Sequence, residues 1–447
     1  MPGHLDEKAL RLAVGTALAA QPRAMVRRAP VSWWRRGRQW EQPEFPDIDP
    51  VAAAGWADED DLGRVRSGFL SVSPALNSSP PLRILLATGP GEDRVILNAH
   101  HAALDGISCL ELLRTVSRHY RDPAAHAIAP PAAPAAEPLP RGAAAPPVHQ
   151  PRAGAGRTST SRAPAAQRLA SALPRPATRI AADHQGSAGR RGRPGYGFRL
   201  LRMPVPTIAS QRRKPHPTVN DLLIAALIVT VGRWNSGHRR SPGRIRITMP
   251  VNARPPGQAA ATGNLSRLTA VTAFAPTGSH DLATLLEDVA AQTRWAKDHA
   301  GPQVDPLSRA LAQARCPAGV KRRLLRLALR TAGPLLCDTS LVSNLGLVAE
   351  PPRFGQAEAT GMWFSTSAHM PRGLSVGAVS VGGQLHRCLR SRCALFSEAA
   401  ASEFAGAYAA ALGDVSGEAA SFPPNDAAAA EVADALSHHI TSQGSPA

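Results

Sequence analysis

Leu5, Ala9, Leu12, Ala13 and Ala17 recur at helical spacing and predict an amphipathic helix over residues 5–20. A tryptophan-rich stretch follows. Trp33, Trp34 and Trp40 surround Arg35-Arg36-Gly37-Arg38, which reads as a hairpin. Largely apolar runs at 82–87 and 95–97 flank Gly89-Pro90-Gly91-Glu92-Asp93, a chain-reversing segment, and predict two strands with a tight connection. The second strand runs into His100. After Gly106, the spacing of Ile107, Leu110, Leu113 and Val116 predicts a helix, with Ser108 as a capping residue near its start. Further along, Thr218-Val219-Asn220-Asp221 caps a strongly apolar helix over 222–234 that ends at Asn235-Ser236-Gly237. Residues 245–251 alternate as a strand, and 268–274 form another. Helices are expected at 282–297 and 320–332, a glycine-rich β region at 374–388 and a last helix at 396–412. This order predicts a mixed α/β fold.

Composition divides the chain. Residues 124–195 are Ala, Pro, Arg and Gly with few long apolar side chains, too little to offset the entropy of ordering. They are expected to be an unstructured linker between an N-terminal half, 1–123, and a C-terminal half, 196–415. Residues 416–447 read as a flexible tail. The net charge of +18 suggests a nucleic-acid partner, but its distribution argues against one. Fifteen Lys and Arg against two acids fall between Ala124 and Lys214, so +13 of the charge sits in this low-complexity region. No basic motif interleaved with aromatics accompanies it, and no specific nucleic-acid binding is expected.

The longest apolar run, Leu222 to Val231, has ten residues, whereas a membrane span needs roughly 20. The opening MPGHLDEKAL has no signal-peptide pattern. The five cysteines form no CxxC pair and suit reduced thiols. A cytoplasmic protein without a transmembrane span is the expectation. No GxGxxG or GxxxxGK[ST] motif supports nucleotide binding.

The sharpest chemical feature is His100-His101-Ala102-Ala103-Leu104-Asp105-Gly106, at the junction of a strand and a helix. Alternation along a strand turns the two histidines to opposite faces, which disfavours a shared metal, and no third ligand stands nearby. No metal site is expected. Two readings of the turn stand side by side. In one, a histidine facing a cleft is a general base near neutral pH, Asp105 holds the loop by pairing with an arginine, and Gly106 permits close backbone approach. In the other, the pair is satisfied inside a turn and Asp105 caps the helix.

This HHxxxDG text resembles the signature of the chloramphenicol acetyltransferase-like superfamily. That superfamily includes nonribosomal peptide condensation domains, polyketide-associated acyltransferases and wax ester synthase/diacylglycerol acyltransferases. Further stretches carry the resemblance along most of the chain: Gly3-His4-Leu5-Asp6, Thr218-Val219-Asn220-Asp221, Met249-Pro250-Val251-Asn252-Ala253-Arg254-Pro255, Gly263-Asn264-Leu265-Ser266 and Ser343-Asn344-Leu345-Gly346. It implies two α/β lobes of related topology around a central cleft. It implies an acyltransferase or condensation enzyme in which His101 is the general base. The donor is an acyl thioester of coenzyme A or of a carrier protein's phosphopantetheine, a substrate rather than a permanently bound cofactor. The acceptor is a small-molecule alcohol or amine. The resemblance also implies a structural salt bridge from Asp105 to an arginine, here Arg254, and offers Ser343 and Asn344 as oxyanion donors. The alternatives within its scope are a wax ester synthase/diacylglycerol acyltransferase and a non-catalytic scaffold that kept the fold. The chain departs from the family pattern in starting almost at the first helix, where an opening strand is usual. It also departs in the long low-complexity interlobe segment and in lacking an adjoining adenylation or carrier domain, so a donor delivered in trans is expected.

Overall fold

Leu82, Ile84 and Leu86 alternate with Leu85 and Ala87, and every one of them is buried. A strand apolar on both sides needs a layer over each face. In the computed structural model β1 (Arg27–Arg28) and β2 (Trp40–Glu41) form a small antiparallel pair. A three-stranded sheet follows in the order β3 (Val51–Gly55), β4 (Leu82–Gly89), β5 (Glu92–Ala99), with β3 parallel and β5 antiparallel to β4. Leu82, Ile84 and Leu86 share one apolar cluster with Leu10, Val14, Leu112 and Val116, which lie on helices α1 (Glu7–Ala20) and α3 (Gly106–Arg121). Leu85 and Ala87 pack on the other face against Leu62 and Phe69 of α2 (Glu59–Ser71). The structure describes residues 1–30, 39–122, 176–183, 195–206, 217–254, 261–276, 281–298 and 337–417, with residues 319, 320, 323, 324 and 327 between the last two segments.

The second lobe is built on a six-stranded mixed sheet. It comprises β6 (Tyr196–Pro204), β7 (Arg244–Asn252), β8 (Ser266–Phe274), β9 (Ser340–Leu347), β12 (Leu374–Val381) and β13 (Gln384–Arg392), in the order β6-β13-β12-β9-β7-β8. A two-stranded ribbon, β10 (Arg353–Phe354) with β11 (Ala357–Glu358), packs near α3. Helix α4 (Val219–Gly237) is buried from Asp221 through Val231, as its nearly uniform apolar sequence requires. The Asp221 carboxylate stabilises its start by accepting the Thr218 N–H and hydroxyl at 2.7 and 2.8 Å, and it also takes the Thr293 hydroxyl at 2.6 Å. Thr293 lies on α5 (Leu282–Asp298), and α6 (Glu398–Ser416) completes this helical layer.

Several expectations change. Part of the 124–195 segment is built into the second lobe: Ile180 and Ala181 are buried in its core. Asn235 fixes that stretch, its Oδ1 accepting the Ala181 N–H at 2.8 Å and its Nδ2 donating to the Arg179 carbonyl at 3.0 Å, while Trp234 Nε1 donates to the Ala181 carbonyl. These contacts, with four further hydrogen bonds at Thr178 and Asp183, anchor a segment whose composition suggests no order. Residues 124–175 and 184–194 lie outside the described residues, as do Trp33 and Trp34 and the tail beyond Gly417. The described flanks of the tryptophan-rich stretch do pair antiparallel, Arg27 with Glu41 and Arg28 with Trp40. In place of a full opening strand, Pro2 and Gly3 make single bridges to Glu92, and the Gly3 N–H donates to the Gly91 carbonyl at 2.9 Å.

Candidate active site

Both histidines lie just past the end of β5, in a turn that closes at the start of α3. Two residues before His100, Asn98 donates to the carbonyls of Phe69 and Val72 at the α2 C-terminus. The turn begins where the His100 N–H donates to the Pro81 carbonyl, and the His100 carbonyl then accepts the N–H groups of Ala103 and Leu104. A backbone N–H only donates, so His100 Nδ1, 3.1 Å from the Ala102 nitrogen, is the acceptor and the ring proton rests on Nε2. Burial, reinforced by the positive fields of His101, Arg28 and His369, pushes the His100 pKa down, so this ring is neutral near pH 7. The His101 side chain stands exposed on the turn.

The second lobe holds this turn at both ends. Asn264 Nδ2 donates to the His101 carbonyl at 2.8 Å, and the Asp105 N–H donates to the Gly263 carbonyl at 3.1 Å. Asp105 is the N-cap of α3: its Oδ1 accepts the Ser108 N–H at 2.9 Å. The same carboxylate takes both terminal nitrogens of Arg254, at 2.8 and 3.0 Å, together with the Leu265 N–H and the Ser266 hydroxyl. Both charged side chains are 2% exposed. Burial pushes the Asp105 pKa up, but the Arg254 guanidinium and the N–H groups of Ser108 and Leu265 outweigh it and hold the carboxyl below its usual range. The two readings of Asp105, helix cap and arginine partner, therefore describe one carboxylate doing both.

Ser108 is not the cap. Its hydroxyl donates to the Gly263 carbonyl and accepts from Arg254 and the Gly263 N–H, at 2.7 to 2.9 Å. Gly106 is there for space: a Cβ would stand 2.8 Å from Leu345 Cδ2 and 2.9 Å from the Phe364 ring. Ser343 and Asn344 lie within β9, not in a loop, opposite Gly377 and Ala378 of β12. Ser343 is buried, and the Asn344 side-chain oxygen accepts the Gly346 N–H at 2.9 Å across an irregularity of β9 where the register with β12 shifts and Gly346 adopts φ +79°. Leu345 brings this strand end against the start of α3, so β9 borders the histidine turn.

Cys109 lies beside the site, but burial and then the Asp105 charge push its thiol up to about 12, which leaves no thiolate for nucleophilic chemistry near pH 7. Among the described residues, no group of three or more His, Cys, Asp or Glu gathers as a metal site, and no helix is long and apolar enough to cross a membrane. Sequence reasoning missed four side chains near the turn. Tyr196 on β6 and Arg390 and Arg392 on β13 stack together, and His369, from the segment between β11 and β12, comes within 3.3 Å of the Tyr196 hydroxyl. Strand pairing assembles them, and no local motif announces it.

Two α/β lobes closed over this histidine turn make the fold seen in solved condensation domains. Solved structures agree over nearly the whole chain. The condensation domain of the Monacolin K polyketide synthase MokA matches with a TM-score of 0.55 at 14% identity, over 93% of this chain and 90% of that one. The first condensation domain of the calcium-dependent antibiotic synthetase matches at 0.53 and 13%, with the same coverage. The SgcC5 protein of Streptomyces globisporus matches at 0.52 and 13%, again over 93% and 90%. No family model matches the sequence. The chain belongs to the same family as the uncharacterized Mycobacterium tuberculosis protein Rv2305 (strain H37Rv), to which it is 30% identical over 421 residues, 91% of each chain.

Proposed function

We propose that this protein is an acyltransferase of the condensation type, joining the acyl group of a thioester to a hydroxyl or amine. The observation that carries the reading is the exposed His101 on a turn clamped from the second lobe by Asn264 and by the Asp105–Arg254 pair. In this reading the His101 imidazole takes the proton of the acceptor O–H or N–H as that atom's electron pair attacks the thioester carbonyl carbon. The tetrahedral oxyanion then collapses, the C–S bond breaks, and the leaving sulfur takes the proton from the imidazolium. The products are an ester or amide and a thiol. A thioester is already activated, so no covalent acyl-enzyme is required. His100, with its proton on Nε2 and its Nδ1 engaged by the backbone, shapes the turn.

The donor is acyl-coenzyme A or an acyl group on a carrier protein. The second donor type is supported by the matched solved structures that are nonribosomal peptide synthetases, among them the four-domain holo-AB3403 with a TM-score of 0.57 at 14% identity. Ser343 and Asn344 border the turn and are candidates for stabilising the oxyanion. The test is thiol release from short- and long-chain acyl-coenzyme A and from an acylated carrier protein, with alcohol and amine acceptors. Acceptor-dependent release by the wild type, lost in His101→Ala while the melting curve is unchanged, is the expected result. A preference for long chains and fatty alcohols would move the protein to the wax-ester branch. Equal release by both proteins would overturn the role of His101. No release with either donor class would favour a scaffold.

A further inference from the structure

Arg390 and Arg392 are neighbours on one row of β13, and across the ladder they meet Phe198 and Tyr196 of β6. Both guanidinium carbons lie over the Tyr196 ring, at 4.1 Å for Arg390 and 4.6 Å for Arg392. Stacking on one ring brings two like charges together, an arrangement that costs free energy unless a counter-charge shares it. None of the protein's own carboxylates does so: among the described residues, neither Arg390 nor Arg392 makes an ion pair, and the charges acting on Arg390 are those of Tyr196, Cys388 and Arg392. Arg390 donates through one terminal nitrogen to the Leu70 carbonyl at 3.0 Å, but its Nε and that of Arg392 are buried with no hydrogen-bond partner among the described residues. The Tyr196 hydroxyl reaches the exposed His369, so the cluster opens toward solvent at that edge.

We propose that Tyr196, His369, Arg390 and Arg392 form a subsite for a carboxylate carried by the acceptor substrate. The inference names the substrate class of the acyl-transfer reading and rests on that reading. Guanidinium forks match a carboxylate in shape as well as charge. Position distinguishes an acceptor carboxylate from a donor phosphate. Arg390 donates to the Leu70 carbonyl at the C-terminal end of α2, and the neighbouring carbonyls of Phe69 and Val72 hold Asn98, two residues before His100. A group bound at this cluster is therefore a short way from the reacting atoms, whereas the phosphate of a pantetheine arm is a full arm's length from its thioester. The acceptor is accordingly a hydroxy acid or amino acid that carries the nucleophile and the carboxylate on one small skeleton.

Two measurements test this. The first is independent of catalysis: titration calorimetry of the full chain with hydroxy acids and amino acids against their methyl esters, with wild type, Arg392→Gln and Tyr196→Phe. The free acids are expected to bind wild type about tenfold or more tightly than the esters, a preference lost in Arg392→Gln, as removal of a charged hydrogen bond implies. Tyr196→Phe keeps the stacked ring and serves as a folded control for the loss of the hydroxyl. Equal binding of acid and ester to wild type would overturn the proposal even if the variant failed to fold. The second is thiol release with the same acceptor pairs. KM for the acid is expected to rise about tenfold or more in Arg392→Gln, with KM for the ester unchanged. A rise confined to the donor, seen with acyl-coenzyme A and absent with acyl-pantetheine, would assign the cluster to a donor phosphate and overturn the carboxylate reading. Selective acid binding without any thiol release would uphold the subsite and count against the acyl-transfer reading itself.

Discussion

Arg254 and Asp105 stand 149 residues apart in the chain, yet the guanidinium presents two nitrogens to the two carboxylate oxygens at 2.8 and 3.0 Å. The pair joins the start of α3 in one lobe to the strand end after β7 in the other, with both side chains 2% exposed. Removing one partner of such a pair leaves the other charge buried and uncompensated, at a cost of about 3–5 kcal/mol. Asp105→Ala is therefore expected to lower the urea midpoint strongly. Adding Arg254→Met to it is expected to restore part of the loss, because the orphaned charge is then gone. Additive losses in a double-mutant cycle would show that the two residues act separately.

Asn264 holds the His101 carbonyl through a single 2.8 Å hydrogen bond from the opposite lobe. It touches the backbone of the turn and not the imidazole, so it acts by positioning. Small misplacement of a reacting group costs much more in rate than in binding. Asn264→Ala is expected to lower kcat about tenfold or more at nearly constant KM and melting temperature. Asn264→Asp, isosteric but without the N–H donors, is expected to reproduce the defect. A change in KM alone would contradict the positioning role.

The parts legible in the sequence are those whose signal is local. The β4–β5 hairpin, α3, α4 and β12–β13 follow apolar spacing and turn residues, whereas Arg254 as the partner of Asp105 comes from the family resemblance carried by residues 249–255 and from no local spacing. Helix α2 was not found because it buries only Leu62 completely and carries Gly63 and Gly68 among charged residues. Strand β3 reads Val-Ala-Ala-Ala-Gly, without the branched and aromatic residues that mark strands. The sheet order and the Tyr196–Arg390–Arg392 cluster depend on β6 pairing with β13 across nearly two hundred residues, which no window on the chain contains.

Two glycines facing the lobe interface separate close approach of backbone from close approach of side chains. A Cβ on Gly377 would lie 2.0 Å from the Phe364 carbonyl oxygen, and one on Gly106 would meet the ends of the Leu345 and Phe364 side chains at 2.8 and 2.9 Å. Side-chain ends yield by rotating, whereas the Phe364 backbone, lying directly over β12, gives way only if the chain itself moves. Gly377→Ala is expected to destabilise the protein by about 1–3 kcal/mol, the range for overpacking, and Gly106→Ala by less. Chemical denaturation of the two variants checks the order. If Gly106→Ala proves the more damaging, the histidine turn is the more rigid of the two.

His386 is 1% exposed, lies edge-on to Trp363 with ring centroids 4.9 Å apart, and has no hydrogen-bond partner for either ring nitrogen among the described residues. Burial, with the charges of Arg202 and Arg387 added, lowers its pKa to about 4. An unfolded chain takes up this proton near pH 6.5, whereas the folded chain resists until about 4. The unfolded state thus binds more protons in this window, and stability rises with pH across it. The contribution is complete above about 6.5 and is lost progressively as pH falls to about 4, amounting to about 3 kcal/mol at most. His386→Leu removes the titrating group and fills the same apolar space. Its urea midpoint is expected to fall less steeply than that of wild type between pH 6.5 and 4, with the remaining slope coming from His100 and His369, whose pKa values burial also lowers, and at the acid end from the Asp47, Glu92 and Asp105 carboxyls, held below their usual range. Parallel pH profiles for the two proteins would mean that His386 finds a proton acceptor or donor in solution and is not held neutral by its burial.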